Sequence, residues 1–399
     1  MTADQSAGSS SSQVFGRLRA VDSLRGLAIL LVFTYHAWQF SGSPTVVVAL
    51  AGFSADLLTP VRNGFWGVEL FMVVSGFVLF LPLARAHPGN DQWTVRDYAF
   101  ARVRRILPPY YFAIAFLIIL PEALVVLARL FHRHANWQPL PSPWDVLTHL
   151  TLTHTLFPGT WQTIQGSLWS MGLEAQFYLV FPLLVLAFRR FGPLTIGAVI
   201  FSSILYRTLF DNLLADQPFT TTFLVSITFL GRWMEFGTGM GAAYLVGRAR
   251  REGRTLGGPV TLGLLALGFG AYAVLIGGPL VTFHLVPVND GLISLAAFCF
   301  LVAGCAGSAT SRRALEWRPI AALGVVSYSL FLLHQNVLYY MSEALRVVGH
   351  VFGEPRLAIL CTIGLAVLVA AAAVSFRFVE RPFLRRRTQV LVRQELGGA

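Results

Sequence analysis

Residues 63–84 read NGFWGVELFMVVSGFVLFLPLA, an apolar run interrupted by a single ionisable side chain, Glu69. About 20 such residues span a hydrocarbon core of roughly 30 Å as a helix. Working outward from it, comparable runs fall at about 21–40, 107–130, 167–188, 193–212, 221–246, 258–277, 287–308, 320–344 and 356–379. The fold class that follows is an all-α integral membrane protein, a bundle of about ten transmembrane helices.

The whole composition agrees with lipid as the main solvent. Of 399 residues, 55% are hydrophobic and only 12% charged, too few to clothe a water-soluble globule. The net charge of +11 does not indicate nucleic acid, because the arginines come in short clusters between apolar runs and not on one folded face. All 30 basic residues are arginine, which is read as genome composition and carries no function. Cys299, Cys305 and Cys361 lie in apolar runs without metal-ligand spacing, as packing residues do. The Ser-rich residues 1–16 are expected to be a disordered tail without processing. Residues 17–386 form the membrane domain and 387–399 a second tail.

Arginine placement sets the expected orientation. Arg17 and Arg19, Arg96 to Arg105, Arg189 and Arg190, Arg248 to Arg254, Arg312 to Arg318 and Arg381 to Arg387 fall in alternating connections. The positive-inside rule makes those cytoplasmic, with both termini. The opposite loop, about 131–166, is rich in Trp, Pro, Thr and His and reads as an interfacial lid or re-entrant loop. Its His132, His134, His149 and His154 lack an accompanying cysteine or ordered carboxylate set, so no metal site is expected.

Ionisable groups at membrane depth are costly and therefore mark function. Arg25 and His36 are eleven positions apart, which places them on one helix face about 16 Å apart along the axis. Glu174 and Tyr178 share a face at i, i+4, Arg232 and Glu235 pair at i, i+3, and Ser327 and His334 lie on one face seven residues apart. Arg102 and Arg105 precede an apolar run. They read either as positive-inside anchors or as an anion clamp suited to phosphate.

Taken together these blocks resemble the acyltransferase 3 family of membrane O-acyltransferases. The resemblance rests on Asp22 and Arg25 followed by His36, on Gly67-Val68-Glu69-Leu70-Phe71 through Ser75-Gly76-Phe77, and on Arg102, Arg105, Ile106 and Pro108. Trp169-Ser170 through Glu174 and Phe177-Tyr178, Glu235-Phe236, Ser327-Tyr328-Ser329 with His334, and Glu380-Arg381-Pro382 complete it. Gly166-Ser167 and Met72 depart from the usual family residues.

The resemblance implies transfer of an acyl group from acyl-CoA, acetyl-CoA by default, to a hydroxyl of a glycan, glycolipid or natural product. It implies no tightly bound cofactor and a multi-pass protein of a bacterial inner or plasma membrane, in the stand-alone form without a hydrolase-like C-terminal domain. In that picture Arg102 and Arg105 hold the donor, and Arg25 guides it. His36 is the general base, with Asp22 and with Glu174 orienting the imidazole or the acceptor. Glu69, Ser75, Tyr178, Arg232, Glu235, Ser327 and His334 support them. The rival class is a proton-coupled secondary transporter, for which the sequence offers no internal repeat.

Overall fold

The computed structural model describes residues 18–50, 53–86, 93–130, 140–214, 216–217, 219–220, 223–277 and 286–384. His132, His134 and both tails lie outside the described residues. The membrane-scale helices are α1 (Arg19–Phe40), α3 (Gly67–Arg85), α4 (Val95–Leu130), α6 (Trp169–Phe191), α7 (Leu194–Leu213), α8 (Phe229–Arg251), α9 (Gly258–Gly277), α10 (Val286–Ala306) and α13 (Ser327–Val347), with α14 spanning Gly353–Leu384. Short helices α2 (Thr59–Arg62), α5 (Pro143–Leu150), α11 (Ala309–Leu315) and α12 (Arg318–Val325) join them. The strands are β1 (Val47–Leu50) and β2 (Phe53–Asp56), an antiparallel hairpin that pairs Val47 with Asp56.

Among the described residues, eight helices are long and apolar enough to cross a membrane, and the α12–α13 pair makes a ninth. The expected tenth, α8, is less apolar than these because it carries Arg232, Glu235 and an arginine-rich end. It packs among α3, α7 and α10. Its expected start at 221 is also corrected: Phe223–Ile227 form a π turn and the helix begins at Phe229.

Small residues allow that central placement. A Cβ at Gly76 would sit 2.1 Å from the Phe236 carbonyl oxygen, and one at Gly239 would sit 1.9 Å from that of Val73. The α3 and α8 backbones therefore touch, as closely packed helices in lipid do when glycine lines the crossing. Outward faces are the reverse. On α6, Phe177 and Phe181 are buried while Leu179 is 79% exposed with Leu183 and Leu186 beside it. Such a leucine stripe suits contact with acyl chains.

Two further departures shape the interior. The expected single span 320–344 is broken at Val326, where α12 and α13 meet at 81°, so the N-terminus of α13 ends inside the protein. The helix expected from residue 107 begins at Val95, which puts Arg102 and Arg105 two to three turns within α4 rather than at its entrance.

Reporters at residues 1, 92 and 399 are expected to be cytoplasmic and one at residue 140 to face the other side. Labelling of residue 92 by an impermeant reagent from outside would overturn the assignment.

Candidate active site

Two adjoining cavities run through the bundle. The first is lined by Arg25 of α1, Ser75 of α3, Arg102 and Arg105 of α4, Glu174 and Tyr178 of α6, and Ser327 and Tyr328 of α13. Three guanidiniums thus face one carboxylate, and the positive end of the α13 dipole opens into the same space. The Ser327 hydroxyl oxygen is buried without a partner. Glu174 Oε1 accepts from Ser75 Oγ at 3.1 Å and from the Tyr178 hydroxyl. Arg102 lies 5.8 Å from the centre of the Tyr178 ring and 6.0 Å from that of Tyr98, a cation–π setting that holds the guanidinium in place.

The bland alternative for the arginine block is tested by Arg104. That side chain is exposed, whereas Arg102 and Arg105, three residues apart, turn into the cavity. The block thus has two faces, one exposed and one lining the cavity.

The second cavity is lined by His36, Tyr35, Gln39, Glu69, Arg232 and Gln335, with Gly166 and Ser167 at its wall. Only Val68 and Phe331 line both cavities. Arg25 and His36, predicted on one face of α1, therefore open into successive chambers along that face.

The surroundings of His36 correct one expectation. Glu174 does not orient the imidazole, since its hydrogen bonds lie in the arginine cavity. His36 Nδ1 instead lies 2.8 Å from the Val32 carbonyl and 3.2 Å from His334 Nε2. His334 Nδ1 in turn contacts the Phe331 carbonyl at 2.5 Å. Carbonyl oxygens only accept, so each Nδ1 carries the hydrogen. His334 Nε2 can then accept from His36 Nδ1–H, and the lone pair of His36 is left on Nε2. His334 itself is wholly buried behind His36. That partnership, between residues 298 apart in the chain, was not visible in the pairing of His334 with Ser327.

Asp22 is the other correction. Among the described residues it lines neither cavity, and its carbonyl packs against α12, where a Cβ at Gly324 would come within 1.7 Å of it. It sits in the first turn of α1, where an acidic residue complements the helix dipole.

The Arg232–Glu235 pair belongs to a larger buried cluster. Arg232 Nη1 lies 2.8 Å from Glu69, 3.2 Å from Glu235 and 3.1 Å from Asp290. Arg207 pairs with Asp290 and, at 2.9 Å, with Glu235. Arg207 and Asp290 were missed, although the rule that flagged Arg232, an ionisable residue at membrane depth, applies equally to them. The cluster fixes Glu69 and Arg232 at the wall of the His36 cavity.

The outer-loop histidines have structural work. His149 and His154 are fully buried and stacked 4.0 Å apart, His149 Nδ1 donating to Asp145 O at 2.8 Å and His154 Nε2 to Leu168 O at 3.0 Å. Burial holds the His154 imidazole down at about 4. The neutral pair hooks the loop to the start of α6. Residues 140–166 are a packed element that includes the capped helix α5.

Comparisons with known proteins give the family. The family described as "Acyltransferase domain" matches residues 18–375. A Bacillus subtilis protein named "Putative peptidoglycan O-acetyltransferase YrhL" is 25% identical over 390 residues, 92% of this chain and 55% of that protein. Staphylococcus aureus "O-acetyltransferase OatA" is 23% identical over 409 residues, 92% of this chain and 57% of that protein. "Peptidoglycan O-acetyltransferase OatA" of Listeria monocytogenes is 26% identical over 181 residues, 43% of this chain and 24% of that protein. The chain thus spans little more than half the length of the first two relatives. No solved structure matches. A polytopic bundle that brings Arg25, Arg102, Arg105 and Glu174 into one chamber and His36 into the next, matched by the family over residues 18–375, belongs to the acyltransferase 3 family.

Proposed function

We propose that the protein transfers an acyl group, acetyl by default, from acyl-CoA to a hydroxyl of a carbohydrate acceptor. The observation that carries this reading is the succession of the two cavities, a cationic one and a histidine one, meeting at Val68 and Phe331. A donor whose phosphates sit against Arg25, Arg102 and Arg105 at the arginine-bearing end would extend its thioester toward Val68 and Phe331. The acceptor hydroxyl would meet it from the His36 side.

In this reading His36 Nε2 removes the proton of the attacking hydroxyl as the new C–O bond forms. The tetrahedral adduct then collapses, re-forming the carbonyl as the C–S bond breaks, and the proton passes from His36 to the released thiolate. His334 keeps the His36 tautomer fixed and Glu174 orders Tyr178 beside the arginines. The acetyltransferase names of the relatives support transfer over transport.

Donor recognition is tested by kinetics. Arg102→Ala with Arg105→Ala is expected to raise the acetyl-CoA KM at least about tenfold, since each charge-assisted hydrogen bond contributes roughly 1.5–3 kcal/mol. The KM of the unaltered protein should climb with ionic strength while that of the double variant flattens. Arg104→Ala, on the exposed face, should leave the KM within about twofold, as surface charges do. An unchanged donor KM in the double variant would reduce both arginines to membrane anchors.

A further inference from the structure

A third cavity lies beyond the His36 chamber, a groove between α4, residues 140–165 and α13. It meets that chamber at Gln335, which lines both. We propose that this groove is the subsite that holds a sugar ring of the acceptor, presenting a neighbouring hydroxyl to His36. The proposal rests on the acyl-transfer reading and adds to it where, and by which chemistry, the acceptor is held.

Its polar atoms are the first argument. Gln165 is 6% exposed, its Nε2 donates to Ser167 Oγ at 2.7 Å, and its Oε1 is buried with no partner among the described residues. Asn336 Nδ2 is likewise shut off from solvent without a partner. Each unmet buried group costs about 1–3 kcal/mol, which a ligand that satisfies it recovers. One is an acceptor and the other a donor, and Glu122 adds a carboxylate to the same wall. Hydroxyl groups both donate and accept, so a polyol answers all three. A hydrocarbon chain answers none.

Apolar and aromatic surface lines the same groove. Tyr339 and Tyr340 stand 5.2 Å apart at 73°, and Phe40 lies 6.2 Å from Tyr339. Aromatic faces next to hydrogen-bonding groups suit a ring that carries C–H bonds on its faces and hydroxyls on its rim. Gln335 completes the path: its Oε1 is held by the Ser167 amide at 3.1 Å, which fixes the side chain at the junction between groove and His36. Donor and acceptor would then reach the reacting histidine from opposite ends of the bundle.

The test uses the full chain in lipid nanodiscs with radiolabelled acetyl-CoA and, as acceptors, soluble peptidoglycan glycan fragments and chitooligosaccharides. Asn336→Leu and Tyr340→Ala are each expected to raise the saccharide KM about five- to tenfold while the acetyl-CoA KM stays put. Transfer that proceeds with an unaltered saccharide KM in both variants, or with the two KM values rising together, would overturn the groove and leave the transfer reading standing. A second arm measures saccharide binding by saturation-transfer NMR to the His36→Ala protein, with and without Asn336→Asp as a fold-preserving change. Binding that weakens with Asn336→Asp upholds the groove even if no turnover is found, in which case only the transfer reading falls. A phospholipid retained by the unaltered protein in native mass spectrometry and released by Asn336→Leu would identify the groove as a lipid site and end the proposal.

Discussion

His36→Ala is expected to lower kcat for acetyl transfer by at least ~10²-fold and up to ~10⁴-fold, the range a general base supplies, with no change in thermal midpoint. The side chain is half-buried and its contacts are few: hydrogen bonds with Val32 and His334 and an edge contact with Tyr35. Its Nε2 keeps the imidazole lone pair, on a side chain that lines the second cavity. His334→Ala should give a smaller loss, because it removes the partner that fixes the tautomer and leaves the base itself. Glutamine at position 334, which can still accept from His36 Nδ1–H, should recover part of that loss. Near-normal turnover by His36→Ala in a stable preparation would remove this histidine from the chemistry.

Arg207→Met carries the largest expected effect on stability, a loss of roughly 3–5 kcal/mol, the cost of stripping one member from a buried ion pair. Arg207 is fully buried and bonded to Asp290, Glu235 and the Gly231 carbonyl. Without it the carboxylates of Asp290 and Glu235 keep only Arg232, and α7, α8 and α10 lose the pin between them. Thermal unfolding in one detergent, followed by tryptophan fluorescence, measures this. Pairing Arg207→Met with Asp290→Leu should restore part of the lost stability, since apolar packing can replace a complete buried pair. A single variant as stable as the parent would show that the cluster is not what joins these helices.

The sequence by itself determined a good deal of this. Apolar length alone located the helices, because a hydrocarbon core imposes the same span on each of them. The cost of charge at membrane depth marked Arg25, His36, Glu174, Arg232 and Glu235, and periodicity put Arg25 and His36 on one face of α1. The order of the short blocks carried the family. Local spacing could not reveal contacts between distant helices.

Only the tertiary structure joined His36 to His334 and moved Glu174 from the imidazole to the arginine chamber. It also drew Arg207 and Asp290 into the cluster around Arg232. The break at Val326 was hidden because α12 and α13 are together apolar enough to read as one span. Helix existence is set by each segment's own exchange with lipid, whereas partners, cavities and bends are set by how ten such segments crowd together, and that information is distributed over residues far apart in the chain.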